Sequence, residues 1–356
     1  MAGKGNTAKL HHYVPQAYLR GFATDKGRIS VIPFDDSRKP FISSVKNVAA
    51  QTHFHTIDGL EEPDEFEKAL SGVEGDAISI IRKFERGKFP PSEADRQTLS
   101  FYMALQSVRG PDTRKTMEHL HAKMIRVEVG AGGRRNVGGW IKKNYGIDPT
   151  PEQEDRIWEE ATQPGGPPIT FPNQAHIQHM VKTAEELTPF IATRPWILVQ
   201  FDRRSLITSD APVSLIRNPG NEPWEGVGFA TAWGITLPIT RKLGLLMNDP
   251  MVMLEGLKPG DPRVQTRRAA ILRGACDQKQ AGTTAMERLF NEHAVGSASE
   301  YVYHHPDDAQ FVPDDLPEPN LINMSVGGFT DAEFDGEPWF GKTDGHGNGA
   351  EDFVDS

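Results

Sequence analysis

Between residues 65 and 192 the apolar positions recur at steps of three and four; after residue 195 they alternate or run together. The first pattern lines one face of a helix, and the second belongs to strands. Phe66, Leu70, Val73, Ala77, Ile80 and Ile81 predict a helix from Glu65 to Arg86. A second helix is predicted after PPSEAD, with Ser92 as its cap and Asp95 three residues on. Its stripe of Leu99 and Tyr102 continues as Gln106 and Arg109, so two polar groups extend a face that otherwise reads as core. A third helix follows Pro111, a short one surrounds Ile157 and Trp158, and another spans Asn173 to Ile191. Glycine-rich GAGGRRNVGG (130–139) is predicted as a flexible loop and QPGGPP (163–168) as a connector.

Strands are predicted at RISVIPF (28–34) and THFHTI (52–57), with a short helix in PQAYLRGF beginning beside Pro15. WILVQF, SLITSDAPVSLI, FATAWGITLPIT and LGLLMND supply four more strand regions; a helix from Thr283 to His293 and a last strand in EYVYHH follow. The short links between these later strands favour antiparallel pairing. The predicted fold is therefore α+β, a helix-rich N-terminal half followed by a mainly antiparallel sheet. One domain is expected over 1–305, its helical part at about 60–192 and its sheet part at about 193–305, joined by the N-terminal segment. Residues 306–356 are expected to form an acidic, flexible tail.

Composition narrows the class. With 37% hydrophobic and 25% charged residues, the chain has the balance of a soluble globular protein. A single cysteine, Cys276, excludes an intramolecular disulfide and a cysteine-rich zinc site. No apolar segment follows the N-terminal lysines, and no apolar run approaches the ~18 residues of a membrane span, so a cytoplasmic protein without a membrane partner is expected. There is no P-loop, dinucleotide fingerprint or nucleophile elbow.

The net charge of −10 is unevenly distributed. Residues 306–356 hold thirteen acidic groups and one basic group, which leaves 1–305 at +2. Arg109 to Lys143 contains nine basic residues, among them Arg134 and Arg135, against three acidic ones. Such asymmetry suits a nucleic-acid surface, or a solvated helix face beside a solubilising tail. The tail segment DAEFDGEPWFGKTD mixes carboxylates with Phe334, Trp339 and Phe340. It is expected to bind the chain's own basic surface, limiting access to His12 and Arg20, or to bind a partner.

Five stretches carry a family resemblance: HHYVPQAYLRGF, FYMALQSVRGPDTR, LITSDAPVSLI, GITLPITRKLGLLM and FNEHAVGSASEYVY. In this order the chain resembles a bacterial family named domain of unknown function 4238, whose signature is the tetrapeptide HYVP, here His12 to Pro15. The resemblance implies no reaction. It directs attention to His12, Gln16, Arg20, Gln106, Arg109, Ser209, Asp210 and Asn291.

His11, His12 and Pro15, then Asn47, then His55 follow the order of an HNH-type nuclease, although the span from His12 to Asn47 is long for that motif. There a divalent metal stabilises charge on phosphorus while a neutral imidazole takes a proton. His12 and Asp210 are the candidate catalytic residues, and His11, His55 and Asp210 the candidate ligands of a divalent metal ion. Gln16, Arg20, Gln106, Arg109, Ser209, Arg134 and Arg135 are candidate binding residues. Plainer structural roles are packing for the histidines and a serine turn for Ser209 and Asp210. His176 and His179, three apart on a helix, lack a nearby carboxylate and are expected to be exposed. The leading expectation is a metal-dependent phosphodiesterase acting on nucleic acid. The alternatives are a non-enzymatic module binding nucleic acid or a nucleotide, and a structural protein in which HYVP is a folding element.

Overall fold

The computed structural model describes residues 10–57, 59, 62, 65–222, 225–258, 260–322, 324 and 333–339. The chain opens with β1 (Leu10–His12), α1 (Gln16–Leu19), β2 (Arg28–Pro33), β3 (Phe41–Ser44) and β4 (Ala50–Thr52). Six helices follow: α2 (Glu65–Glu85), α3 (Glu93–Val108), α4 (Pro111–Gly132), α5 (Val137–Tyr145), α6 (Pro151–Thr162) and α7 (Asn173–Ala192). Next come β5 (Trp196–Gln200), β6 (Thr208–Ser209), β7 (Ser214–Ile216), β8 (Gly234–Thr240) and β9 (Leu243–Asn248). The order ends with α8 (Met251–Leu254), α9 (Pro262–Leu272), β10 (Gln278–Ala281), α10 (Thr284–Ser297) and β11 (Tyr301–His304). This is the expected α+β arrangement, helices mostly first and sheets later.

The strands form three sheets. β1 pairs with β4; β10, β5, β9, β8 and β7 form a five-stranded sheet; β3, β2, β11 and β6 form a four-stranded one. All pairings are antiparallel except β10 with β5. After β9 the chain passes through α8 and α9 and returns as β10 on the far side of β5, a placement the strand pattern alone did not reveal.

The described residues fall into two compact units. The first runs to Arg114 and resumes over Pro172–Leu321. Its core includes Tyr18, Phe22, Leu99, Tyr102, Trp196, Leu237, Leu245 and Phe290. Ser92 caps α3 as expected, its hydroxyl accepting from the Asp95 N–H at 3.1 Å. Arg96 lies fully buried on α3, ion-paired with Asp277 and stacked 4.3 Å from the Trp196 ring. The second unit comprises Lys115–Phe171 and the described residues from Ile322 onward. It has a separate apolar cluster of Val129, Val137, Ile141, Trp158 and Ala161. The helices of residues 115–171 therefore do not share the core of the single domain expected over 1–305.

Three further expectations are corrected. THFHTI is not a strand: β4 ends at Thr52, and His53 takes φ +57 to open a turn. GAGGRRNVGG is not an open loop, because α4 runs to Gly132, residues Arg134–Asn136 form a 3₁₀ turn, and α5 begins at Val137. Nor does the tail begin at 306. A 3₁₀ helix over Pro306–Phe311 belongs to the first unit, where buried Asp308 accepts two bonds from Arg241 at 2.7 and 2.8 Å.

Within the second unit the described part of the tail does meet the basic segment. The Arg134 N–H donates to the Gly336 carbonyl at 2.8 Å, and the Trp339 N–H to the Ala131 carbonyl at 2.9 Å. Arg126 lies 4.9 Å from the Phe334 ring centre. Asp331 and Phe340 lie outside the described residues.

Candidate metal centre

The site is built on the paired strands β1 and β4. Neighbouring residues of a strand face opposite sides, so His11 and His12 serve different surroundings. The Nδ1 of His11 accepts the backbone N–H of His55 at 2.8 Å, and the two rings stack with centres 5.8 Å apart and planes 14° from parallel. His55 is placed by the turn after β4. Asn173 donates to the carbonyls of His53 and Thr56 at 2.9 and 3.0 Å. Arg114 donates to the Phe54 carbonyl at 2.5 Å and covers the Phe54 ring at 3.5 Å.

The third member comes from the first turn of α2. Nδ1 of His55 lies 2.7 Å from Oε2 of Glu67. A carboxylate only accepts, so His55 holds its proton on Nδ1 and turns the lone pair of Nε2 outward from that bond. Ligating atoms of His11, His55 and Glu67 all lie within 4.8 Å of one another. The His55 side chain is 1% exposed and that of Glu67 24%. Burial pushes His55 down to about 4, outweighing the Glu67 hydrogen bond, so the ring is neutral at pH 7. Burial also works against ionised Glu67, but the hydrogen bond from His55 and the nearby Arg109 charge help to leave its pKa lowered. Neutral imidazoles and carboxylates are donor types that divalent metals use, and one ion meets both His55 Nδ1 and Glu67 only by replacing the proton between them. The fit is asymmetric. His11, with Nδ1 already engaged, carries its proton on Nε2 and ligates only by giving up the His55 N–H or that proton.

Of the residues singled out from the sequence, His11, His12, His55, Gln16 and Arg109 are gathered in or beside this region. The His12 ring sits 3.5 Å from the Gln16 amide nitrogen, and burial lowers its pKa against the nearby Lys46 and Val45 backbone. Arg109 donates to the His12 carbonyl at 2.5 Å and pairs with Glu74 at 2.8 Å. Its side chain is 1% exposed, so it braces the HYVP segment from α3 and does not present a free cation. Arg20 and Asn47 are exposed.

Asp210 is engaged differently. Its Oδ1 accepts the Ser299 N–H at 2.8 Å, and its Oδ2 accepts those of Glu300 and Tyr301 at 2.8 and 3.1 Å. It clamps the turn before β11, and it is Glu67, not Asp210, that lies beside His11 and His55. Burial pushes its carboxyl up to about 7 despite those three donors. Ser209 makes the serine turn, its hydroxyl donating to the Ala211 carbonyl at 3.0 Å. Asn291 bridges α10 to the Ile207 N–H and the carbonyls of Ser205 and Phe311. In the second unit, Arg134 pairs with Asp155 at 2.7 Å, and Arg135 is exposed. His176 is buried, contrary to expectation, while His179 is exposed.

Glu67 and Glu74 went unrecognised in the sequence. Both sit on the acid-rich face of an evident amphipathic helix, where carboxylates ordinarily meet solvent. Their seven-residue separation, two turns along one face, was the available signal.

A family model described as protein of unknown function (DUF4238) matches residues 10–308, and the chain belongs to that family. No curated protein and no solved structure is significantly similar to it. No helix among the described residues is long and apolar enough to cross a membrane.

Proposed function

We propose that this member of the DUF4238 family is a metal-dependent phosphodiesterase whose divalent ion is held by His55, Glu67 and His11. The reading rests on one observation: three ligating atoms on two buried imidazoles and a half-buried carboxylate lie within 4.8 Å. A divalent ion bound there would lower the pKa of an attached water and offset negative charge on a phosphoryl group. Nδ1 of His55 and Oε2 of Glu67 face each other, so an ion held by both would take the place of the proton they share. His11 completes the set by exchanging its bond to the His55 N–H. Arg109 holds the His12 carbonyl and so sets the course of the strand that carries His11. Nucleic acid is the proposed substrate class.

The test is hydrolysis of bis(p-nitrophenyl) phosphate and of labelled DNA and RNA with Mg²⁺, Mn²⁺ or Zn²⁺. Activity that needs the ion and falls by about 10²-fold or more in His55→Ala supports the reading. Absence of hydrolysis with every ion and substrate would reject it.

One observation favours a second reading, in which HYVP is a folding element. Tyr18, just beyond the tetrapeptide, bonds through its hydroxyl to Thr208 at 2.8 Å and to the Pro238 carbonyl at 2.5 Å, joining α1 to both larger sheets. On this reading His55→Ala lowers the melting temperature and no ion changes any property of the protein.

A further inference from the structure

The strongest unexplained feature is the polar stripe of α3. Tyr102, Gln106 and Arg109 follow at steps of four and three and fall within one narrow face of the helix. Tyr102 is fully buried and Gln106 is 3% exposed. Among the described residues, neither the Tyr102 hydroxyl nor either amide atom of Gln106 has a hydrogen-bond partner, and the Nε of Arg109 also lacks one. A buried polar atom left unpaired costs about 1–3 kcal/mol, so a dry arrangement of this kind is strongly unfavourable. The Arg109 end of the stripe adjoins the candidate centre. Arg109, one turn beyond Gln106, bonds to the His12 carbonyl and to Glu74, and its charge acts on His12, His55 and Glu67. Tyr102 feels Glu74 and Arg109.

We infer that Gln106 and Tyr102 form the recognition wall of the proposed site and take the polar edge of a single nucleobase. A carboxamide offers an acceptor and a donor side by side in one plane, and nucleobase edges present the complementary pair. The identification of the amide's partner as a nucleobase rests on the phosphodiester reading. Burial adds a constraint on size. A base held in a stack cannot reach a side chain that is 3% exposed, so the ligand is a mononucleotide or a nucleotide drawn out of its strand. Duplex nucleic acid does not fit this wall.

The experiment is calorimetric titration of the full-length protein with AMP, GMP, CMP and UMP, with ribose 5-phosphate as the base-less control. Wild type should bind at least one nucleoside monophosphate tenfold or more tighter than ribose 5-phosphate. Gln106→Met, which keeps the shape and removes the amide, should bring that affinity down to the ribose 5-phosphate level with no loss of melting temperature. Tyr102→Phe should weaken binding in the same direction and serves if Gln106→Met does not fold. Equal affinity for nucleotide and ribose 5-phosphate in wild type overturns the inference, as does unchanged nucleotide affinity in a folded variant. Metal titration of the same variants separates the two claims. Ion binding retained in Gln106→Met with base selectivity lost supports the wall; base selectivity without ion binding in wild type counts against the metal centre alone.

Discussion

The backbone N–H of His55 donates to Nδ1 of His11 at 2.8 Å, so the imidazole of one histidine fixes the backbone that presents the next. The same residue donates through its ring to Glu67 at 2.7 Å. His55 is therefore held from both ends as a neutral ring with one defined lone pair. This explains why burial can lower its pKa to about 4 without leaving the ring disordered among tautomers.

The first prediction follows from that pKa. A histidine held near 4 in the folded chain and near 6.5 when unfolded is protonated in the unfolded state first. Folding stability from this group is complete above pH 6.5 and is lost as pH falls toward 4, by about 3 kcal/mol in all. His55→Gln, which cannot titrate, should show a shallower loss over that window in urea unfolding. Parallel curves for wild type and variant would show that His55 is not held neutral by the fold.

Asp210 provides a contrasting case. Both of its oxygens are committed to the N–H groups of Ser299, Glu300 and Tyr301. Asp210→Ala should lower stability by about 3 kcal/mol, because three buried donors lose their acceptor. Asp210→Asn, which keeps one carbonyl oxygen, should cost less and leave metal affinity unchanged. Loss of metal binding in a folded Asp210→Asn protein would return this residue to the ligand set.

Much of this was legible in the sequence, and what was not has identifiable causes. The long helices announced themselves through apolar spacing, and Ser92 through its capping position. His11 and His55, named together from the sequence, lie side by side because β1 pairs with β4 and the turn after β4 carries His55 back to it. Glu67 was hidden because a carboxylate near a helix start is ordinary; only the depth of His55 makes it a partner. Asp210 misled because a polar residue breaking a strand pattern signals a bulge or a site equally well. The split into two units was invisible because helices 115–171 have the same spacing as their neighbours, and only their separate cluster around Trp158 distinguishes them.

Arg109 is predicted to be a positioning residue. Arg109→Ala leaves Glu74 without its buried partner and frees the His12 carbonyl, and should cost about 3–5 kcal/mol. Burial already raises the pKa of Glu74, so Glu74→Gln in the same chain should recover part of that loss. A double-mutant cycle by thermal unfolding checks this; additive losses would show that the pair is not coupled.

The tail contact is tested at Gly130. A Cβ placed there would lie 2.5 Å from the Phe334 ring, too close for both to keep their positions. Gly130→Ala should therefore loosen the 333–339 segment while favouring α4 itself. Faster proteolysis near Trp339 is the expected result. Unchanged cleavage would mean that this contact does not hold the segment.

The most direct measurement of the central claim is titration of chelator-treated full-length protein with Zn²⁺ and Mn²⁺, followed calorimetrically. One saturable site per chain is predicted, weakened about 10-fold or more in His55→Ala and in Glu67→Ala and preserved in Asp210→Asn. No saturable binding by wild type, or equal affinity in all three variants, would contradict a metal centre at His11, His55 and Glu67.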